Sequence, residues 1–287
     1  MTLLLPVLAA LAAQLPAAAE DAFAFRRAQP AAFATELTRL RTAWREARGE
    51  FDGSERLAHL LAARDASSAA DYRRRLAAMR AFRARIRADV ADALAGRTRT
   101  EWLNGRWLNN AARSRDADVQ TLFRRVFADQ YQLQQEAPEE IVEAAAALGY
   151  ADVRSLARNN AQWLKSVLAR IGWFDISRYG AEASQAAWLI VQHADHDPAW
   201  QQQVLEILRP RVARGDMQGN YFAYLVDRVA VNAGRPQTYG TQGLCMGPDD
   251  WRPRPLADPD EVDRLRAEVG LEPIAAYRAR FACRTPR

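Results

Sequence analysis

Cysteine, histidine and lysine are all scarce in this chain of 287 residues: two cysteines, three histidines and one lysine, Lys165. Two distant cysteines supply too few ligands for a zinc finger. Glycine (14) and proline (13) are modest, which argues against an all-β chain full of turns. No apolar run reaches the ~18 residues of a membrane-spanning helix. GxSxG, P-loop and GxGxxG motifs are all missing, so the familiar hydrolase, nucleotide-binding and redox mechanisms have no marker here. There is no internal repeat and no low-complexity linker.

What remains is ordinary globular usage, 49% hydrophobic and 26% charged. Lys+Arg is 40 against 35 Asp+Glu, for a net charge of +5. Since 39 of those 40 cations are arginines, the basicity reflects an arginine- and alanine-rich, GC-rich coding bias more than a partner.

Leu3 to Leu15 (LLLPVLAALAAQL) is followed by Pro16-Ala17-Ala18-Ala19 and then Glu20-Asp21. An apolar segment of that length ending in small residues reads as a secretory signal cleaved after Ala19. A buried N-terminal helix or a misplaced start codon is the alternative. The expected organisation is therefore residues 1–19 as signal peptide, 20–113 as an arginine-rich helical region, and 114–287 as a helical domain with a β-hairpin. The expected location is periplasmic or secreted. In an oxidising compartment Cys245 and Cys283 favour a disulfide over two unrelated thiols. That requires their Cα atoms to lie ~4.4–6.8 Å apart.

The expected fold class is mainly α, a multi-helix bundle with a small C-terminal hairpin. Residues 20–113 carry 19 arginines against 12 acids, while 114–287 carry 21 basic residues against 23 acids. In the first region Leu76, Met79, Phe82, Ile86, Val90 and Leu94 recur at helical spacing. Arg73, Arg74, Arg75, Arg80, Arg83, Arg85 and Arg87 cover the other faces of that helix. Such a face suits an anionic envelope surface, lipid head groups or cell-wall polymers; a plainly solvated face is the alternative. Nucleic acid is not an expected partner, because export removes the chain from it and no binding motif is present.

Further helices are expected over about 31–48 and from 116, where Val119, Leu122, Phe123, Val126, Phe127 and Tyr131 make one stripe. Others run from Pro138 to Gly149, over 159–171, from 181, from Pro198 to about 213 with Asp197 as cap, and over 220–233. Extended stretches at Gln237–Gln242 and Trp251–Leu256 predict the hairpin, with a last pair of helices near Pro259 and Pro273.

Several motifs fall in order between Asn160 and Tyr277: QHAD (192–195), Asp227-Arg228, YGTQ (239–242) and the Asp258-Pro259 helix start. Over about residues 120–280 the chain resembles an uncharacterised bacterial domain-of-unknown-function family. Asp129-Gln130 looks like that family's earlier motif. Leu133 and Leu265 stand where the resemblance implies arginines, and Arg266 remains. The resemblance implies positions and no chemistry.

Among these positions His193 is the candidate acid or base, because an imidazole titrates near neutral pH. Asp195 or Asp227 would orient it, and the three are the catalytic candidates. Gln192, Arg228, Tyr239 and Gln242 are the candidate substrate-binding residues. Asp227 and Arg228 point about 100° apart on a helix, so each must find a partner elsewhere. His193, Asp195, His196 and Asp197 crowd together but match no metal-ligand spacing, so no metal is assigned, and the sequence identifies no cofactor. Burial of such groups is costly unless they satisfy one another or a ligand. The expectation is therefore one shared pocket or network holding His193, Arg228 and Gln242 with Asp195 or Asp227. Two functions fit: an exported hydrolase or transferase acting on an envelope component, or a non-catalytic periplasmic module whose polar motif is a buried network.

Overall fold

The structure is a computed structural model, and it describes residues 22–47, 51–97 and 105–283. The signal-like segment and its cleavage position lie outside the described residues. Those described are about 71% helical, in 13 helices with one two-stranded antiparallel sheet near the C-terminus. The protein is mainly α.

Four helices begin the described chain: α1 Ala22–Ala28, α2 Pro30–Glu46, α3 Ser54–Asp65 and α4 Ala69–Leu94. Then come α5 Arg106–Arg113, α6 Ala117–Gln134 and α7 Val142–Ile171. The series continues with α8 Ile176–Tyr179, α9 Ala181–Gln192, α10 Pro198–Ala213 and α11 Gly219–Asn232. The strands β1 Gly243–Gly247 and β2 Asp250–Pro253 are followed by α12 Val262–Glu268 and α13 Ile274–Arg278.

Packing divides the chain into two compact units. Among the described residues, one takes Ala22–Ala47, Phe51–Ala84 and Glu136–Ala151; the other takes Arg85–Arg97, Gly105–Gln135 and Asp152–Cys283. The charge step near residue 113 concerns surface composition, whereas this division concerns contacts, and the two fall at different places. In the first unit Phe33, Leu37 and Leu40 of α2 pack with Leu57, Leu60 and Leu61 of α3, Leu76 and Met79 of α4, and Leu148 of α7. α3 has no amphipathic signature because every residue from Leu57 to Ala63 is buried. A helix covered on all sides loses the 3.6-residue period that sequence reading relies on.

The second unit is built on Leu122 and Val126 of α6, Leu164 and Val167 of α7, Ile190 and Val191 of α9, Val204 and Leu208 of α10, and Leu225 of α11. Asp116 caps α6 by accepting from the backbone N–H groups of Asp118 (2.9 Å) and Val119 (3.0 Å). Asp197 caps α10 by accepting from Trp200 N at 3.0 Å, with Pro198 in the first turn.

Two expectations need correction. Gly149 does not end a helix: the segments at 138–149 and 159–171 belong to one 30-residue helix, α7. A mid-helix glycine costs only about 1 kcal/mol, and buried Leu148 and Leu156 on either side outweigh it. The hairpin also lies later than expected. Gln237–Gln242 is not a strand; β1 starts at Gly243 and pairs with β2 through Leu244↔Arg252 and Cys245↔Trp251. The reason is that the backbone N–H groups of Thr238, Tyr239 and Thr241 are taken by a carboxylate, not by a neighbouring strand.

Cys245 of β1 is joined to Cys283 by a disulfide, with Cα atoms 5.5 Å apart. Trp251, Tyr277 and Phe281 pack around it, Trp251 stacking on Phe281 with ring centroids 4.6 Å apart. Opening this crosslink of 38-residue separation should lower stability by up to about 4 kcal/mol on loop entropy. Urea unfolding of the wild type and of Cys245→Ser/Cys283→Ser measures it. A reductant should bring the wild type to the double variant's midpoint and leave the variant unchanged.

Candidate functional site

The polar motif residues resolve into three clusters. The first surrounds Asp227 on α11, which is fully buried. Its Oδ1 accepts from the backbone N–H groups of Thr238 (2.8 Å) and Tyr239 (2.9 Å). Its Oδ2 accepts from Thr241 N (2.8 Å) and Thr241 Oγ1 (2.9 Å). Burial pushes this carboxyl up from its ordinary value, and the four donors oppose that shift.

Other side chains close the same loop from behind. Gln237 Nε2 donates to the carbonyls of Gln242 and Arg254, both at 2.8 Å, and its Oε1 accepts from Gln242 N at 2.9 Å. Arg266, with no exposed surface, donates from Nε to Glu272 O and from Nη1 to Tyr239 O, each at 2.6 Å. Tyr277 Oη donates to Thr241 O at 3.2 Å. Gly240 fits because its φ is +67°, and a Cβ there would stand 2.5 Å from Ile274 Cδ1. The YGTQ segment is thus a loop held through its backbone. Gln242 contributes mainly its backbone, its amide reaching Thr241 Oγ1 at 3.2 Å. The half-buried Tyr239 phenol is pushed up by burial, with Asp227 adding to it.

The second cluster is an ion pair. Arg228 grips Asp195 with both arms, Nε to Oδ1 at 2.7 Å and Nη2 to Oδ2 at 2.6 Å, and Asn232 Nδ2 donates to Oδ1 at 2.8 Å. Burial works to raise the Asp195 carboxyl, but the hydrogen bonds and charge of Arg228 hold it below its ordinary value. Adjacent on α11, Asp227 and Arg228 diverge to different partners.

The third cluster holds His193, the residue that terminates α9. Its Nδ1 lies 2.7 Å from Asp129 Oδ2 of α6, and Gln130 Nε2 also donates to that oxygen at 3.0 Å. Asp129 is buried, while the His193 side chain is 25% exposed. A carboxylate on one ring nitrogen fixes the tautomer and orientation and leaves the other nitrogen for exchange with a reacting group. Neither Asp195 nor Asp227 performs that orienting role. The hydrogen bonds of His193, Arg228 and Gln242 therefore do not form one network: each belongs to a different cluster.

Gln192 is buried, and its Oε1 has no hydrogen-bond partner. His196 is half-buried, and burial with nearby Arg158 pushes its imidazole down. Asp197 is held by the α10 cap and by an ion pair with Lys165. Among the described residues no three His, Cys, Asp or Glu side chains converge to hold a metal ion. Of the seven arginines decorating α4, five meet a carboxylate of the described residues within 4 Å: Arg74 and Arg75 at Asp71, Arg83 at Glu55, Arg85 at Asp89 and Arg87 at Asp152.

Sequence reading did not pair Asp129 with His193, yet a signal was present. Asp129 follows Leu122 by seven residues and Val126 by three, which places an acid on the buried stripe of α6. A carboxylate on such a stripe needs a buried donor.

Residues 117–282 match a family model described as a family of unknown function, DUF6624. No curated protein and no solved structure matches the chain.

Two stability predictions separate the clusters. Asp227→Ala leaves three backbone N–H groups of the loop without their acceptor, so it should cost at least about 3 kcal/mol in urea unfolding. For Asp195 the folded pKa is depressed, so its contribution is complete above the unfolded value and is lost as pH falls towards the folded one. The stability gap between wild type and Asp195→Asn should be constant above about pH 5 and narrow below about pH 4. A gap that widens on acidification would contradict the ion-pair assignment.

Proposed function

The chain belongs to DUF6624, a family of unknown function, and from that premise we propose that it is an exported enzyme working by acid–base catalysis at His193. The reaction class is hydrolysis or group transfer on an envelope component. The observation that carries this reading is the His193–Asp129 pair, a partly exposed imidazole bonded at Nδ1 to a buried carboxylate at 2.7 Å. In this reading Asp129 orients His193 through Nδ1, and Nε2 takes or gives the proton. A positioned base of this kind contributes about 10²–10⁴-fold to a rate. Export is supported by the Leu3–Leu15 segment and by the Cys245–Cys283 crosslink, which persists in oxidising compartments.

Arg228 is a weaker candidate for substrate binding than its motif suggests, because both its arms lie on Asp195. Tyr239 and Gln242 belong to the loop that Asp227 of α11 holds, and all three act, in this reading, on shape and not on chemistry.

A second reading rests on the Asp227 cluster, whose carboxylate has four donors satisfied inside the protein. Such closure is what a non-catalytic periplasmic module needs to fix a loop for binding.

Incubating the purified protein with envelope fractions and following the products by mass spectrometry distinguishes the two. His193→Gln and Asp129→Asn should each reduce product formation by about 100-fold or more, with the helical circular dichroism unchanged. Turnover that persists in both variants would remove the acid–base assignment. No turnover by the wild type in any fraction would leave the binding module as the standing reading.

A further inference from the structure

Lys165 on α7 is the sole lysine in a chain that uses arginine at its other 39 cationic positions. Its ammonium donates to Asp197 Oδ2 and lies 5.1 Å from the Trp200 ring centroid. An ammonium is a compact point charge with three rotatable donors, whereas a guanidinium presents a rigid planar fork. One of those N–H groups is directed at Asp197, and the Lys165 side chain is 42% exposed. The other two have no protein acceptor among the described residues.

This ammonium opens on a cavity of roughly 450 Å³ between α7 and α10. Leu168, Ala169, Ala199, Trp200 and Ile207 give the cavity apolar walls, and Lys165, Asp197 and Gln203 are its polar groups. All three polar side chains reach solvent: the Asp197 side chain is 30% exposed and Gln203 lies on the surface. Gln203 makes no hydrogen bond to another described residue, so its amide is open to a ligand. The volume falls within the ~300–1,000 Å³ typical of ligand pockets.

Charge narrows the class of that ligand. Lys165 and Asp197 cancel, so an anion drawn to the ammonium meets the carboxylate, and a cation drawn to the carboxylate meets the ammonium. A hydroxyl group suits both at once, because it accepts from an N–H and donates to a carboxylate oxygen. Asp197 Oδ1 accepts from Trp200 N and Oδ2 accepts from Lys165, and each oxygen keeps a second lone pair. A ligand with adjacent hydroxyls and an apolar ring face matches this lining without breaking the ion pair.

We propose that the cavity between α7 and α10 binds a neutral saccharide. Its hydroxyls meet Lys165, Asp197 and Gln203, and a C–H face of the sugar ring packs on Leu168, Trp200 and Ile207. The site lies at the α10 end of the turn that begins at His193, but it does not rest on acid–base chemistry there.

Calorimetry on the full chain reads this binding directly, with the methyl glycosides of glucose, galactose, mannose and N-acetylglucosamine as probes. At least one should bind at millimolar concentration. The corresponding uronic acid and amino sugar should bind no more tightly. Cyclohexanol, which keeps an apolar ring but has one hydroxyl, should bind at least about tenfold more weakly. Lys165→Met keeps the stem and removes the donors, and should weaken the bound glycoside by a similar factor. Ala199→Trp, a change at an exposed position of the cavity wall, should exclude it while the helical spectrum is retained. Absence of binding by all four glycosides, tighter binding of a charged analogue, or affinity unchanged in Lys165→Met or Ala199→Trp would each overturn the proposal. The probe comparison uses the wild type alone, so it decides the matter even if a variant fails to fold. Because binding is measured without turnover, failure here leaves the role of His193 standing, and loss of turnover in His193→Gln leaves this site untouched.

Discussion

One buried carboxylate determines how the end of this chain is held. Asp227 on α11 gathers the N–H groups of Thr238, Tyr239 and Thr241, and these groups are thereby not available to a neighbouring strand. Such a carboxylate is tolerated in the core because its acceptor capacity is filled. Arg266 and Tyr277 then bind carbonyls of the same loop. Donors and acceptors of one short backbone segment are thus answered from opposite sides by α11, α12 and α13.

Dividing the motif residues among three clusters changes what they signify. Side chains that recur in order along a sequence invite assembly into a single active centre. Here most serve to hold backbone: Asp227, Gln237, Arg266 and Tyr277 all act on main-chain groups. The Asp195–Arg228–Asn232 cluster ties the turn after α9 to α11. In the third, a partly exposed imidazole, His193, is bonded to a buried carboxylate, Asp129.

The helices α2, α4 and α6 were legible from their apolar period, and α10 from the Asp197-Pro198 start that caps it. Two features defeated the reading for opposite reasons. α3 is buried at every position from Leu57 to Ala63 and shows no period, while Gly149 reads as a helix end but is overruled by the apolar residues on both sides of it. The strand error came from Gln237–Gln242, whose composition suits an extended segment but in which Thr238, Tyr239 and Thr241 bond to a side chain ten or more residues upstream. Partners so distant cannot be read from local spacing. The same limit hid Asp129, which lies 64 residues from His193; its place on an apolar stripe marked it as needing a partner but did not say which.

The Cys245–Cys283 crosslink bounds a closed covalent ring that includes β2, α12 and α13. Arg266 and Tyr277 lie inside this ring, and Asp227 lies outside it. A protease that cuts once between these cysteines therefore opens a loop without releasing a fragment. Both new ends stay tethered, and the residues that grip Tyr239 and Thr241 remain at high local concentration. In a compartment where proteases act on exposed turns, the C-terminal clasp could be nicked and still re-form.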